Sequence, residues 1–163
     1  MATVNDETYM EQYMKALVLK IQNNCPFITD PTNVMVGELA EHESLPDAKF
    51  PRVEIIVTKL IGSRYIDQYN VEKTFRLNVF GILKRPTDAI VDQDVYNLTR
   101  FASNVESLVF SFNTDKINGV EPSPYFVQVE AYGEIFVENE VIPRLGAFEF
   151  WPDVQFHVPW AIA

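Results

Sequence analysis

"RVEIIVTKLIGSRYIDQYNVEKTFRLNVFGILKR", from Arg52 to Arg85, decides how this chain is read. In "RVEIIVTKL", Val53, Ile55 and Val57 fall on one face of an extended backbone. In "VEKTFRLNVFGILKR", Val71, Phe75, Leu77, Val79 and Leu83 do the same. Successive side chains of a strand point to opposite faces, so this period of two marks two half-buried strands. Between them lies "IGSRYIDQYN", residues 61–70, rich in Tyr and Ile for a connection. The simplest reading is a long hairpin with an apolar tip.

The same code recurs toward the C-terminus. In "YFVQVEAYGEIFVEN", Tyr125, Val127, Val129, Ala131, Ile135 and Val137 alternate with Gln128, Glu130, Tyr132 and Glu134. In "GAFEFWPDVQFHVPWAIA", Phe148, Phe150, Pro152, Val154, Phe156 and Val158 alternate with Glu149, Trp151, Asp153, Gln155 and His157. This last strand has two odd members. Pro152 has no N–H to give to a ladder and belongs on an edge or at a bulge. Trp151 falls on the polar side. The expectation is an edge strand whose outer face meets another subunit, so that Trp151→Ala weakens assembly more than folding. The apolar tail, residues 159–163 with Trp160, is expected to dock on a neighbour or on the subunit's own core.

Two stretches carry a helical period instead. Met10, Met14, Leu17 and Ile21 recur at four-three-four spacing, with Tyr13 and Val18 beside them. Thr8 and Glu11 fit a capping box, and Pro26 enforces the stop. Further on, Val91, Val95, Leu98, Ala102, Val105, Val109 and Phe112 define a second stripe. Thr87 or Asp88 is placed to cap it, and Asp92 and Asp94 suit the positive end of its dipole. Residues 27–51 read as a long loop with one short strand in "NVMVGEL". The order is α-(β)-β-β-α-β-β. It predicts an α+β fold in one domain, residues 1–163: an antiparallel sheet of four to five strands with two helices on one face.

Two helices cover one face of such a sheet and not the other. The uncovered face would carry Ile56, Phe80, Ile82, Phe126, Tyr132, Phe136 and Trp151. Seven acids share it (Glu54, Glu72, Glu130, Glu134, Glu138, Glu149 and Asp153) with three bases, Arg52, Arg76 and Lys84. A lone subunit rarely leaves so much apolar surface in water. Either it is a protein–protein contact or a channel wall, or the long loops cover part of it.

Composition narrows the function. The 163 residues are 47% hydrophobic and 13% aromatic, enough for a substantial core, and carry a net charge of −10. A broad basic face for nucleic acid is excluded, since such a chain repels phosphates. A single cysteine, Cys25, allows no intrachain disulfide and is compatible with a reducing cytosol. No signal peptide and no membrane span is indicated. His42 stands between Glu41 and Glu43, but adjacent residues lack the one-face spacing of a metal site, and no second His is near. His157 reads as a surface or interface histidine, and Cys25 as a small buried group. The "NLT" at Asn97 falls inside the second helix and reads as chance. The six glycines are isolated, which leaves no phosphate-binding loop, and no GxSxG elbow occurs. No catalytic group, cofactor or metal is expected.

The layout resembles the tail terminator, or tail completion, proteins of long-tailed bacteriophages. The matching pieces are "YMEQYMKALVLKIQ", "KFPRVEIIV", "FRLNVFGILKR" leading into "VDQDVYNLTRFASNVESLV", "YFVQVEAYGEIFV" and "GAFEFWPDVQFHVPW". The resemblance is one of order, length and pattern over nearly the whole chain. It implies a structural virion protein at the tail–neck junction, assembled in the host cytoplasm. It also implies a homohexameric ring that caps the tail tube, ends its polymerisation and meets the head–tail connector or neck protein, and the sheath protein if the tail contracts. DNA would pass through without specific binding. On this reading Tyr65, Ile66, Tyr69, Tyr132, Phe136, Trp151 and Trp160 are expected at subunit or ring interfaces. Glu54, Glu72, Glu130, Glu134 and Glu149 are expected to line an acidic channel that phosphates slide past. A tail tube or neck protein of the same machinery shares the pattern. A small intracellular binding domain predicts instead a monomer with a defined pocket. An enzyme predicts converging groups with perturbed pKa values.

Overall fold

The computed structural model describes residues 8–37, 42, 44–85, 92–113, 124–132, 136–138 and 145–160; at 113, 124, 125, 129–132 and 136–138 it describes the backbone alone. Helix α1 spans Tyr9–Asn24. The Thr8 hydroxyl accepts the Glu11 backbone N–H at 3.2 Å, satisfying one of the donors a helix start leaves unpaired. The helix ends at Cys25, whose backbone turns extended ahead of Pro26, as a residue before proline must. Met10, Tyr13, Met14, Leu17 and Ile21 form its buried face.

Strand β1, Val34–Val36, is the short strand expected in the long connection. It pairs in parallel with the start of β2, Arg52–Tyr65. Strand β3, Asn70–Lys84, returns antiparallel to β2 and completes the long hairpin. At the tip, Asp67 Oδ1 accepts the backbone N–H groups of Tyr69 and Asn70 at 2.7 and 2.8 Å, a side-chain turn of the kind aspartate favours. These bonds, that of Tyr69 first, hold the Asp67 carboxyl below the usual carboxylate range.

Helix α2, Asp92–Phe110, buries Asp94, Leu98, Phe101, Val105 and Val109. This corrects the expected stripe. Phe101 faces the core alongside the partly buried Ala102, and Val95 is exposed. The large ring of Phe101 fits edge-on against Phe148 with centroids 5.1 Å apart, and that contact sets the rotation of the helix. Val91, Thr87 and Asp88 lie outside the described residues.

The expected penultimate strand consists of two described pieces, β4 (Pro124–Tyr132) and β5 (Phe136–Glu138). Both pair antiparallel with the last strand, β6, Leu145–Pro159. The sheet order is β1-β2-β3-β6-β4, with β5 also on β6, six strands in all among the described residues. The fold is α+β, with a mostly antiparallel sheet and both helices packed on one face. The core between them joins α1 and α2 to Val53, Ile55, Leu77, Val79, Phe148, Phe150, Val154, Phe156 and Val158.

Strand β6 is therefore central, not an edge. It pairs with β3 on one side and with β4 and β5 on the other. The ladder to β3 runs from Asn70↔Pro159 to Arg76↔Asp153 and resumes at Val79↔Phe150 in the same register. The skipped residues, Leu77 and Asn78, stand opposite Pro152 and Trp151, where proline has no N–H to donate. On its other side Pro152 stays paired with Val129. The register to β4 shifts beside it, between Val129 and Ala131, so the proline sits at an irregularity of the ladder on both sides, as the bulge alternative anticipated.

A second, smaller cluster lies on the face away from the helices. Phe50, Ile82, Leu145 and Ala147 are buried there, with Leu45 and Phe80 packed against them. The connection before β2 thus folds over one end of that face and covers part of the apolar surface, as the loop alternative anticipated.

Candidate assembly surface

The opposite face divides into a closed end and an open end. At the closed end, Arg52 and Glu54 are each 2% exposed. Glu54 lies between His42 Nε2, at 2.6 and 2.9 Å from its two carboxylate oxygens, and Arg52 Nε, at 3.6 Å. The His42 ring also packs on Phe80, with centroids 5.8 Å apart. Asp47 pairs with Lys84, whose ammonium stands over the Phe50 ring. These contacts pin the connection to the sheet. A channel-lining role for Glu54 is thereby corrected: its carboxylate is enclosed within the subunit by two cationic or hydrogen-bonding partners. The local sequence offered no cue to the His42–Glu54 pair, because the two residues meet only once the loop crosses the sheet.

In the middle of the face, Arg76 Nε and Nη2 bond the two oxygens of Asp153 at 2.8 and 3.0 Å. Such a two-pronged pair is among the stronger ionic contacts. Asn78 donates to Glu149 at 3.3 Å. Trp151 is half-buried here and sits beside Ala131 of β4. The expected edge position is corrected by the central place of β6, while Trp151 itself stays partly exposed. Tyr132 and Phe136 belong to β4 and β5, but only their backbones are described; the same holds for Glu130, and Glu134 lies outside the described residues.

The open end is the hairpin. From Val57 to Tyr69 every residue is exposed. Tyr65 and Tyr69 are 68% and 69% exposed, and Ile66 43%. The chain's last described residue joins them: Trp160 donates its backbone N–H to the Tyr69 carbonyl at 2.7 Å, and its ring meets Tyr65 edge-on at 5.0 Å. Trp160 itself is 52% exposed. The structure thus gathers four of the seven expected interface residues, Tyr65, Ile66, Tyr69 and Trp160, at one place. Beside them a concavity of about 380 Å³ is lined by Arg64, Tyr65, Ile66, Glu72 and His157. Glu72 bonds Arg64 at 3.0 Å and His157 at 3.4 Å, so it is engaged within the subunit.

A second concavity of about 400 Å³ lies at the closed end, lined by residues that include Phe27, Phe50, Lys84, Arg85 and Asn97. Among the described residues, no group of three or more His, Cys, Asp or Glu is placed to hold a metal ion. Burial pushes the Cys25 thiol above its ordinary pKa, away from nucleophilic use. No described helix is long and apolar enough to cross a membrane. Compared with protein-family models and with curated protein sequences, the chain finds no match.

Proposed function

We propose that this chain is a structural protein that works by self-assembly: a tail terminator that forms a hexameric ring on the tail tube of a long-tailed phage. The observation that carries the reading is the exposed hairpin end. Tyr65, Ile66, Tyr69 and Trp160 gather exposed apolar surface at the hairpin tip, where Trp160 packs on Tyr65. Exposed clusters of this kind mark contact surfaces. The ring would end tube polymerisation and present its other side to the head–tail connector or neck protein, with the sheath protein as a further neighbour in a contractile tail. It would reside in the virion at the tail–neck junction. The excess of acids, 23 against 13 basic residues, suits a ring through which DNA slides without sticking.

Native mass measurement and electron microscopy of the purified chain test this. Closed rings that bind the end of a tail tube are the expected result. Open-ended tubes would place the chain among tube proteins of the same machinery. A monomer at all concentrations that binds neither tube nor connector would overturn the proposal.

A further inference from the structure

The outer edge of β2 has no strand partner among the described residues beyond Ile55. Strand β1 reaches only Val53–Ile55. An open edge of this length invites strand addition, yet it carries the features that block it. The register shifts between Val57 and Lys59 and again between Leu60 and Gly62, and Lys59 itself stands on the edge. Bulges and lysines keep edges from pairing with other chains. What remains available is the side-chain surface. Leu60, Ile61, Tyr65, Ile66, Tyr69 and Trp160 are each between 42% and 69% exposed. Together they offer on the order of 600 Å² of mostly apolar surface, close to one partner's share of about 800 Å² in a stable interface.

Charge identifies the occupant. Between Val57 and Arg76 stand four cations, Lys59, Arg64, Lys73 and Arg76, and two acids, Asp67 and Glu72; the rest of the chain holds nine cations and twenty-one acids. Arg64 pairs with Glu72 and Arg76 with Asp153 of β6, so the arm's excess of positive charge rests on Lys59 and Lys73, set against Asp67 alone. The arm is thus a basic, aromatic projection on an acidic body. We infer that it docks by its side chains, without strand addition, on the acidic body of a second copy of this chain. The inference rests on the self-assembly reading and adds to it the docking element, the sign of the charge and the mode of contact.

Sedimentation velocity on the full chain tests it, at about 0.05 M and about 0.5 M salt, where screening differs several-fold in range. Two double variants accompany the natural chain: Lys59→Glu with Lys73→Glu, and Tyr65→Ser with Tyr69→Ser. Lys59 and Lys73 are chosen because reversing Arg64 or Arg76 would break an ion pair within the subunit. Thermal unfolding reports whether each variant keeps its fold, and the salt comparison needs no variant at all. The expected result is an oligomer that loosens at high salt, loosens several-fold on charge reversal, and loosens roughly tenfold or more on loss of the two tyrosine rings. An oligomer indifferent to salt and to both folded variants overturns the docking inference and leaves ring formation standing. A natural chain that stays monomeric at both salt concentrations overturns both.

Discussion

His42 and Glu54 are twelve residues apart in sequence, yet Nε2 of one lies 2.6 Å from Oε2 of the other. The contact joins the long connection to the closed end of the sheet's second face. Glu54 is almost wholly buried and also faces Arg52. Removing one partner from a buried ionic group strands the others. Glu54→Ala is therefore expected to cost about 3–5 kcal/mol of stability, read by chemical denaturation. It should also make residues 42–50 more open to limited proteolysis. A loss near zero would show that the cluster is solvated and the segment held by Leu45 and Phe50 alone.

Gly81 is required by Phe148. A Cβ at Gly81 would lie 2.2 Å from two atoms of the Phe148 ring. That ring is 1% exposed and wedged against Phe101, so it has little room to yield. Gly81→Ala is expected to destabilise by about 1–3 kcal/mol through overpacking, measured as a fall in the denaturation midpoint at unchanged slope. A neutral result would mean that the ring shifts freely.

Tyr13 is completely buried, and its hydroxyl finds no hydrogen-bond partner among the described residues. Burial drives its pKa well above the ordinary tyrosine value. An unsatisfied buried hydroxyl costs free energy, whereas the ring earns its place against Phe112 and Phe156. Tyr13→Phe should therefore be neutral or stabilising by up to about 1 kcal/mol. A clear loss of stability on calorimetry would reveal a partner for the hydroxyl.

The central place of β6 gives Trp151 a part in folding. It stands half-buried on a strand paired on both sides. Trp151→Ala is expected to lower stability by about 2 kcal/mol, while the folded variant assembles as the natural chain does. Unchanged thermal stability with lost assembly would restore it as an interface anchor.

The hairpin tip should respond to acid. Hydrogen bonds depress the folded Asp67 carboxyl below its unfolded value. Their contribution is full above the unfolded pKa of about 3.9 and is lost as pH falls through the lower folded value. The amides of Tyr69 and Asn70 should then exchange faster at low pH, ahead of those in the central ladder, as hydrogen exchange by NMR would show. Asp67→Asn should flatten that dependence.

Much of the fold was legible along the chain. Alternation at Val53–Val57, Leu77–Val79 and Phe148–Val158 marked the strands, and the spacing of Met10, Met14, Leu17 and Ile21 marked the first helix. These are periodic signals within one element, imposed by the geometry of strand and helix on residues close in sequence. The apolar hairpin tip was equally visible, because Tyr65, Ile66 and Tyr69 are neighbours on one turn.

What the sequence determined by itself was therefore the elements, their faces and the exposed aromatic tip. Only the tertiary structure decided which strands are neighbours. It placed Pro152 and Trp151 inside the sheet, added Phe101 to the core and turned Val95 to the surface, and brought Trp160 onto Tyr65. It also buried Glu54 under His42. Each of these depends on chain segments far apart in sequence meeting in space. Local alternation records which side a residue faces, but not what lies on that side.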